Sequence, residues 1–143
     1  MIELQILEPR FVDGAYEVER LCLAEGWSKS AINDLICRED ALYIVAVDGD
    51  KVCGIAGMYI VLGEGQITNV AVLPEYRRRG IGKRIFGELI KRGLAHGVSV
   101  FTLEVDPCNT AAIRLYGGFG FIEAGRRKGL HDGTGAVIMN YSP

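Results

Sequence analysis

The sequence predicts a mixed α/β domain of the α+β kind, with a central, largely antiparallel sheet of about seven strands flanked by about four helices. Three observations carry this. Short runs rich in β-branched residues recur between stretches with helical spacing. In the first half, glycine-bearing turns join successive runs with too few residues for anything but antiparallel hairpins. Past the middle, a long helical pattern separates two strand-like runs, the spacing of one internal βαβ unit.

Taken in order, "IELQIL" (2–7) reads as the first strand. A helix follows from about Asp13, where Tyr16, Val18, Leu21 and Cys22 make an apolar stripe, and ends near Gly26. Ser28 is the expected N-cap of a short second helix that buries Ile32, Leu35 and Ile36. "ALYIVAV" (41–47) is the next strand, "DGDK" (48–51) a hairpin turn and "KVCGIAGMYIVL" the returning strand. A turn at Gly63–Gly65 leads into "EGQITNVAV" (64–72). The helix from about Gly80 to His96 carries Ile81, Ile85, Leu89 and Arg92 or Gly93 at helical spacing. "SVFTLEV" (99–105) is a strand, and Asn109 is the expected N-cap of a last helix that stops at the paired glycines. "FGFIEAG" (119–125) and "GAVIMNY" (135–141) close the chain as a hairpin. No repeat or low-complexity linker interrupts this order, so residues 1–143 are expected to form one domain.

At 49% hydrophobic and 24% charged residues, the 143-residue chain has the make-up of an ordinary globular domain. A formal net charge of −2 argues against nucleic-acid binding by bulk electrostatics. The 19 glycines are about twice the usual share of roughly 7%. Cys22, Cys37, Cys53 and Cys108 form no CxxC pair, and His96 and His131 are the two histidines, so no metal site is expected. "MIELQILEPR" has no secretory pattern, and the apolar stretch near "VCGIAGMYIVLG" is broken by glycines and too short to span a bilayer. The expectation is a cytoplasmic protein with reduced thiols and no membrane partner. Oligomeric state stays open, since no heptad or unusual edge strand stands out.

The informative stretch is "AVLPEYRRRGIGKRIFGELI" (71–90). Amides at a helix start lack intrahelical partners and carry the positive end of the helix dipole. Gly80 and Gly82 let an anion approach those amides, and Arg77, Arg78, Arg79 and Lys83 add charge around the same point. Two readings fit: a cradle for a pyrophosphate with a further phosphate nearby, or a solvated basic loop before a surface helix. There is no GxxxxGK[ST] and no complete GxGxxG. The acidic Glu104 about 20 positions on keeps the spacing of a dinucleotide site, but four strands and two helices come first, whereas that fold needs its glycine turn in the first βα unit.

"ITNVAVLPEYRRRGIGKRIFGELI" resembles the acetyl-CoA-binding motif of the GCN5-related N-acetyltransferases (GNAT), with Arg77-x-x-Gly80-x-Gly82 as its core. "LEVDPCNTAAIRLYGGFGF" is similar to the second signature of that family, in which asparagine, small residues and a tyrosine precede a GF-containing strand. The element order agrees along the whole chain. Within the family, "GWS" (26–28) and "LEV" (103–105) resemble the bacterial ribosomal-protein-alanine N-acetyltransferases. The tail departs from them: "RRKGLHDGTG" (126–135) stands where they carry an arginine pair followed by two tyrosines.

The resemblance implies an acetyl-CoA-dependent enzyme that acetylates the N-terminal amine of a ribosomal protein by direct transfer in a ternary complex. Val70, Ala71, Val72, Arg77, Arg78, Arg79, Gly80, Ile81, Gly82, Lys83 and Asn109 would hold the co-substrate. The amide of Val72, or one beside it in a strand opened by a bulge, would polarise the carbonyl. Glu104 would be the base, its pKa raised by partial burial in "FTLEVD". Tyr116 would be the acid for the departing thiolate. From the residues alone, Glu104 is equally an ordinary solvent-facing strand residue, Tyr116 a core aromatic and Asn109 merely a cap. Cys108 reads as a small buried or loop thiol without an activating histidine, and His131 as a solvent-exposed turn residue or a border of the acceptor site. Two other functions stay open: a small amine acceptor such as a polyamine, amino acid or drug, and a CoA-binding module without turnover. Asp34, Glu39 and Asp132 are acidic candidates for a cationic acceptor groove.

Overall fold

The computed structural model describes residues 1–23, 27–128 and 135–143, and within them seven strands and four helices follow in the expected order. They are β1 (Ile2–Ile6), α1 (Val12–Cys22), α2 (Lys29–Ile36), β2 (Ala41–Asp48), β3 (Lys51–Val61), β4 (Glu64–Val72), α3 (Ile81–Ala95), β5 (Val100–Val105), α4 (Thr110–Gly118), β6 (Ile122–Arg127) and β7 (Ala136–Tyr141). The strands form one sheet in the order β1-β2-β3-β4-β5-β7-β6, antiparallel throughout except for the β4–β5 pair. That parallel pair is the predicted βαβ unit, with α3 as its crossover.

Local chemistry sets the helix ends. The Ser28 hydroxyl accepts the Ala31 amide at 3.1 Å and the Asn109 side chain accepts the Ala112 amide at 3.1 Å, both as expected of N-caps. Gly57 and Met58 are consecutive in β3 and face opposite ways. Gly57 lies under Tyr43 on the face that α1 covers, whereas the Met58 methyl sits close to Gly93 of α3. A Cβ at Gly93 would lie 2.8 Å from the Phe101 ring, so the glycine lets α3 approach the sheet. The core runs through β2 and β3, with Ile44, Val45, Ile55 and Met58 wholly buried beside Phe86 and Phe101. Each such side chain contributes roughly 1.5–3 kcal/mol through burial.

Several boundaries differ from expectation. The β3–β4 turn is Leu62–Gly63, both with positive φ (50° and 81°), and Gly65 already belongs to β4. Those angles fit the right-handed twist of a tight hairpin. The last hairpin starts at Ile122 rather than Phe119, because Phe119 caps α4 and Gly120 takes a left-handed turn (φ 103°) against the Tyr141 ring. Gly26, His131 and Asp132 lie outside the described residues.

Candidate active site

The register around β4 makes a wedge. β4 and β5 pair only at Glu64–Val100, Gly65–Phe101 and Gln66–Thr102. Beyond those pairs β5 continues against β7, and β4 continues to Val72 against β3 alone. At the fork β4 carries a bulge: Gly57 pairs with Asn69 and Met58 with Ile67, leaving Thr68 as the extra residue. The bulge thus lies in the strand expected to carry one, just before Val70–Val72. Past it, the Leu73 amide donates to the Cys53 carbonyl at 2.8 Å. Alternation then turns the amides of Val70 and Val72 away from β3, toward the side that β5 has left.

One cleft, of about 380 Å³, opens at the end of this edge between Val72, the basic loop and the first turns of α4, lined among others by Arg77, Arg78, Gly80, Gly82 and Ala112. The first intrahelical bond of α3 is from the Arg84 amide to the Gly80 carbonyl, so the amides of Ile81, Gly82 and Lys83 precede the ladder. Arg78 (φ 64°) and Gly80 (φ 74°) are both left-handed, which curls the loop; at Arg78 this costs about 1 kcal/mol or more. A Cβ at Gly80 would meet nothing within 4 Å, and at Gly82 nothing nearer than Val72 Cγ2 at 3.9 Å, so open space lies over the helix start.

The arginines do not act alike. Arg77 folds back onto β4 and α1: Nε donates to the Val72 carbonyl at 3.0 Å and Nη2 to Cys22 Sγ at 3.7 Å. Arg79 lies over the Tyr76 ring at 5.0 Å, and the Tyr76 hydroxyl donates to Asp48 at 2.7 Å. Those two brace the loop, Arg77 also lines the cleft beside Arg78, and Lys83 is exposed.

A second cleft, of about 360 Å³, lies at the fork, lined by Thr68, Thr102, Glu104, Arg127 and neighbouring residues of β4, β5 and β7. The expected burial of Glu104 is absent. Its side chain is half exposed, because β6 and β7 leave this face of β5 open, and it accepts a hydrogen bond from Arg127 Nε at 2.6 Å. Such exposed pairs contribute about 0–1 kcal/mol, so an incoming group can displace the arginine.

Tyr116 is buried against Phe86, with ring centroids 5.0 Å apart, and against Phe121 at 6.2 Å. Burial pushes its phenol up to about 12. Asn109 caps α4 and does not line the cleft at the basic loop. Cys108 is an exposed loop thiol, one of the two expected readings, and Cys53 is buried with its thiol pushed up by that burial. Asp34 and Glu39 are exposed. Among the described residues no group of three or more His, Cys, Asp or Glu side chains is arranged to hold a metal ion, and no helix is long and apolar enough to cross a membrane.

Four residues at the fork escaped the sequence reading: Thr68, Arg127, and the buried pair Glu19 and Asn69. Only the polar dipeptide Thr68-Asn69 inside an apolar strand hinted at them.

The parallel fork between β4 and β5 thus has a glycine-rich helix start at its open end. The model of the acetyltransferase (GNAT) family matches residues 12–121, and the chain belongs to that family. It is 33% identical over 145 residues to the [ribosomal protein bS18]-alanine N-acetyltransferase of Escherichia coli (strain K12), covering 97% of this chain and 96% of that one. The crystal structure of the ribosomal-protein-S18-alanine N-acetyltransferase from Escherichia coli superposes with a TM-score of 0.88 at 32% identity, covering 99% of this chain and 94% of the other. The PaiA N-acetyltransferase from Thermoplasma acidophilum, solved in complex with coenzyme A, shares the fold (TM-score 0.85, 21% identity, 100% and 99% coverage).

Proposed function

We propose that this chain, acting as one domain over residues 1–143, transfers an acetyl group from acetyl-CoA to the N-terminal alanine of ribosomal protein bS18 in a direct ternary complex. The observation that carries this is the freed edge of β4 between the two clefts. From Thr68 to Val72 is four residues, about 14 Å of extended chain, with the amides of Val70 and Val72 on the open side. The acceptor follows from the end-to-end likeness to relatives bearing that activity. A ribosomal acceptor puts the reaction in the cytoplasm and calls for neither nucleic acid, membrane nor metal.

Acetyl-CoA supplies the acetyl thioester. The amides of Ile81, Gly82 and Lys83, with Arg78, would hold its phosphates. Arg77, Arg79 and Asn109 would act on it through the loop and the α4 cap that they brace. The amides of Val70 and Val72, with Ala71 between them, face the carbonyl oxygen as it gains charge. The acceptor nitrogen forms the new C–N bond while the C–S bond breaks. Glu104, released from Arg127, takes the amine proton, and Tyr116 gives its proton to the leaving sulfur. The desolvation that holds Tyr116 protonated also raises the basicity of a thiolate beside it.

Thiol release with a peptide copying the bS18 N-terminus, beside a panel of polyamines, amino acids and amine drugs, tests the reading. Turnover on the peptide that is lost in Glu104→Gln is expected. Turnover confined to small amines would overturn the ribosomal acceptor, and CoA binding without turnover on any amine would reduce the chain to a binding module.

A further inference from the structure

Behind the fork lies a polar row that proton transfer does not use. Tyr43, Gly57 and Asn69 face one another across β2, β3 and β4. A Cβ at Gly57 would sit 2.1 Å from the Tyr43 ring, so the phenol lies across the glycine and reaches β4. Its hydroxyl donates to Asn69 Oδ1 at 3.3 Å and pairs closely with the Thr68 hydroxyl. Thr68 also sits 3.4 Å from the Gly57 carbonyl. From α1, the wholly buried Glu19 accepts the Asn69 side-chain amide on Oε1. Burial pushes this carboxyl up in pKa. Burying such a group costs several kcal/mol, a penalty that a buried alkyl side chain would not incur.

The row holds both residues of the bulge, and the bulge decides which amides face the fork. If Thr68 slipped back into pairing, every later residue of β4 would turn to the other side. The amide of Ala71 would then face the fork in place of those of Val70 and Val72.

We propose that Glu19 is a positioning residue for acetyl transfer: through Asn69, and with Tyr43 laid over Gly57, it locks the Thr68–Asn69 bulge and so aims the Val70 and Val72 amides. This rests on the reading of the fork as the transfer site. It treats the acceptor oxygen of Glu19, rather than its charge, as the working part.

The test uses the full chain with Glu19→Ala, Glu19→Gln and Tyr43→Phe, and two readouts. One is kcat and the KM for acetyl-CoA, with whichever amine the wild type acetylates. The other is the set of backbone amide NMR shifts of residues 68–72 in the ligand-free protein, which needs no acceptor. Glu19→Ala is expected to move the Val70 and Val72 amide shifts and lower kcat about 10- to 100-fold, the scale of a slightly misplaced catalytic group. Its KM for acetyl-CoA should stay within about twofold, as ground-state binding relies on other groups. Glu19→Gln, which keeps the acceptor oxygen, should recover most of both effects. Tyr43→Phe should move the same shifts in the same direction, and it carries the test if Glu19→Ala fails to fold. Unmoved amides with wild-type kcat in a folded variant would overturn the proposal, as would a Gln variant as impaired as the Ala variant. A wild type without turnover would instead overturn the transfer reading, while the amide shifts still report on the lock.

Discussion

The two clefts along β4 are made of different materials. The cleft at the basic loop holds the glycines and amides that open α3 and a loop curled by two left-handed residues. Most of its lining comes from one stretch, residues 72–82, and the rest from α4. The cleft at the fork is lined by side chains carried in by β4, β5, β6 and β7, backed by a row from α1 and β2. Backbone sites depend on local conformation, whereas side-chain sites depend on register between distant strands. Substitutions should therefore act differently in the two.

Chemistry gives the largest contrast. Glu104→Gln is expected to lower kcat by about 10²–10⁴, the usual contribution of a positioned base. Steady-state kinetics check this, and an unchanged kcat would move the base elsewhere.

Identical Gly→Ala changes should then part company. At Gly57 a methyl collides with the Tyr43 ring at 2.1 Å, and urea unfolding should show a loss of about 1–3 kcal/mol or more. At Gly82 a methyl meets no protein atom nearer than 3.9 Å and replaces glycine in the first turn of α3. Stability should hold or rise by up to about 1 kcal/mol, while the methyl enters the cleft at the basic loop and raises the KM for acetyl-CoA. A Gly82→Ala protein with an unchanged KM would mean that the open space there is not used.

Acidity sharpens the comparison on the buried side. Because burial raises the Glu19 pKa in the folded state, the native protein holds a proton that the unfolded chain has lost. This stabilising contribution is whole below the unfolded pKa, near 4.5, and is lost as pH rises through the folded value. Glu19→Gln should abolish that decline, so its stability advantage over wild type should grow from pH 4.5 upward. Denaturant titrations at several pH values would read it, and parallel curves would contradict it.

The smallest effect is outside both clefts. Leu62 is fully exposed at φ 50°, where asparagine is at home. Leu62→Asn should raise stability by up to about 1 kcal/mol, measured by thermal unfolding.

The same division explains what was legible. Caps at Ser28 and Asn109, the basic loop and the order of all seven strands announce themselves in local patterns, and the structure follows them. The Leu62–Gly63 turn did not, since leucine is no turn signal. One extra residue in a nine-residue strand leaves no mark in its alternation, so the residues themselves do not say that the bulge falls at Thr68. Glu104 was expected to be part-buried because its neighbours in sequence are apolar, but a strand shields only the face that other elements cover. Arg127 reaches Glu104 from 23 residues away, and Glu19 finds Asn69 from 50. No spacing within a single element encodes such contacts.

The central claim is that the two clefts are halves of one active site joined by β4. Its most direct test is steady-state kinetics with acetyl-CoA and the bS18-like peptide for wild type, Gly82→Ala and Glu104→Gln. A split is expected: Gly82→Ala raises the KM for acetyl-CoA with kcat largely kept, and Glu104→Gln lowers kcat with that KM kept. Wild-type kinetics in both variants, or both acting on the same parameter, would contradict it.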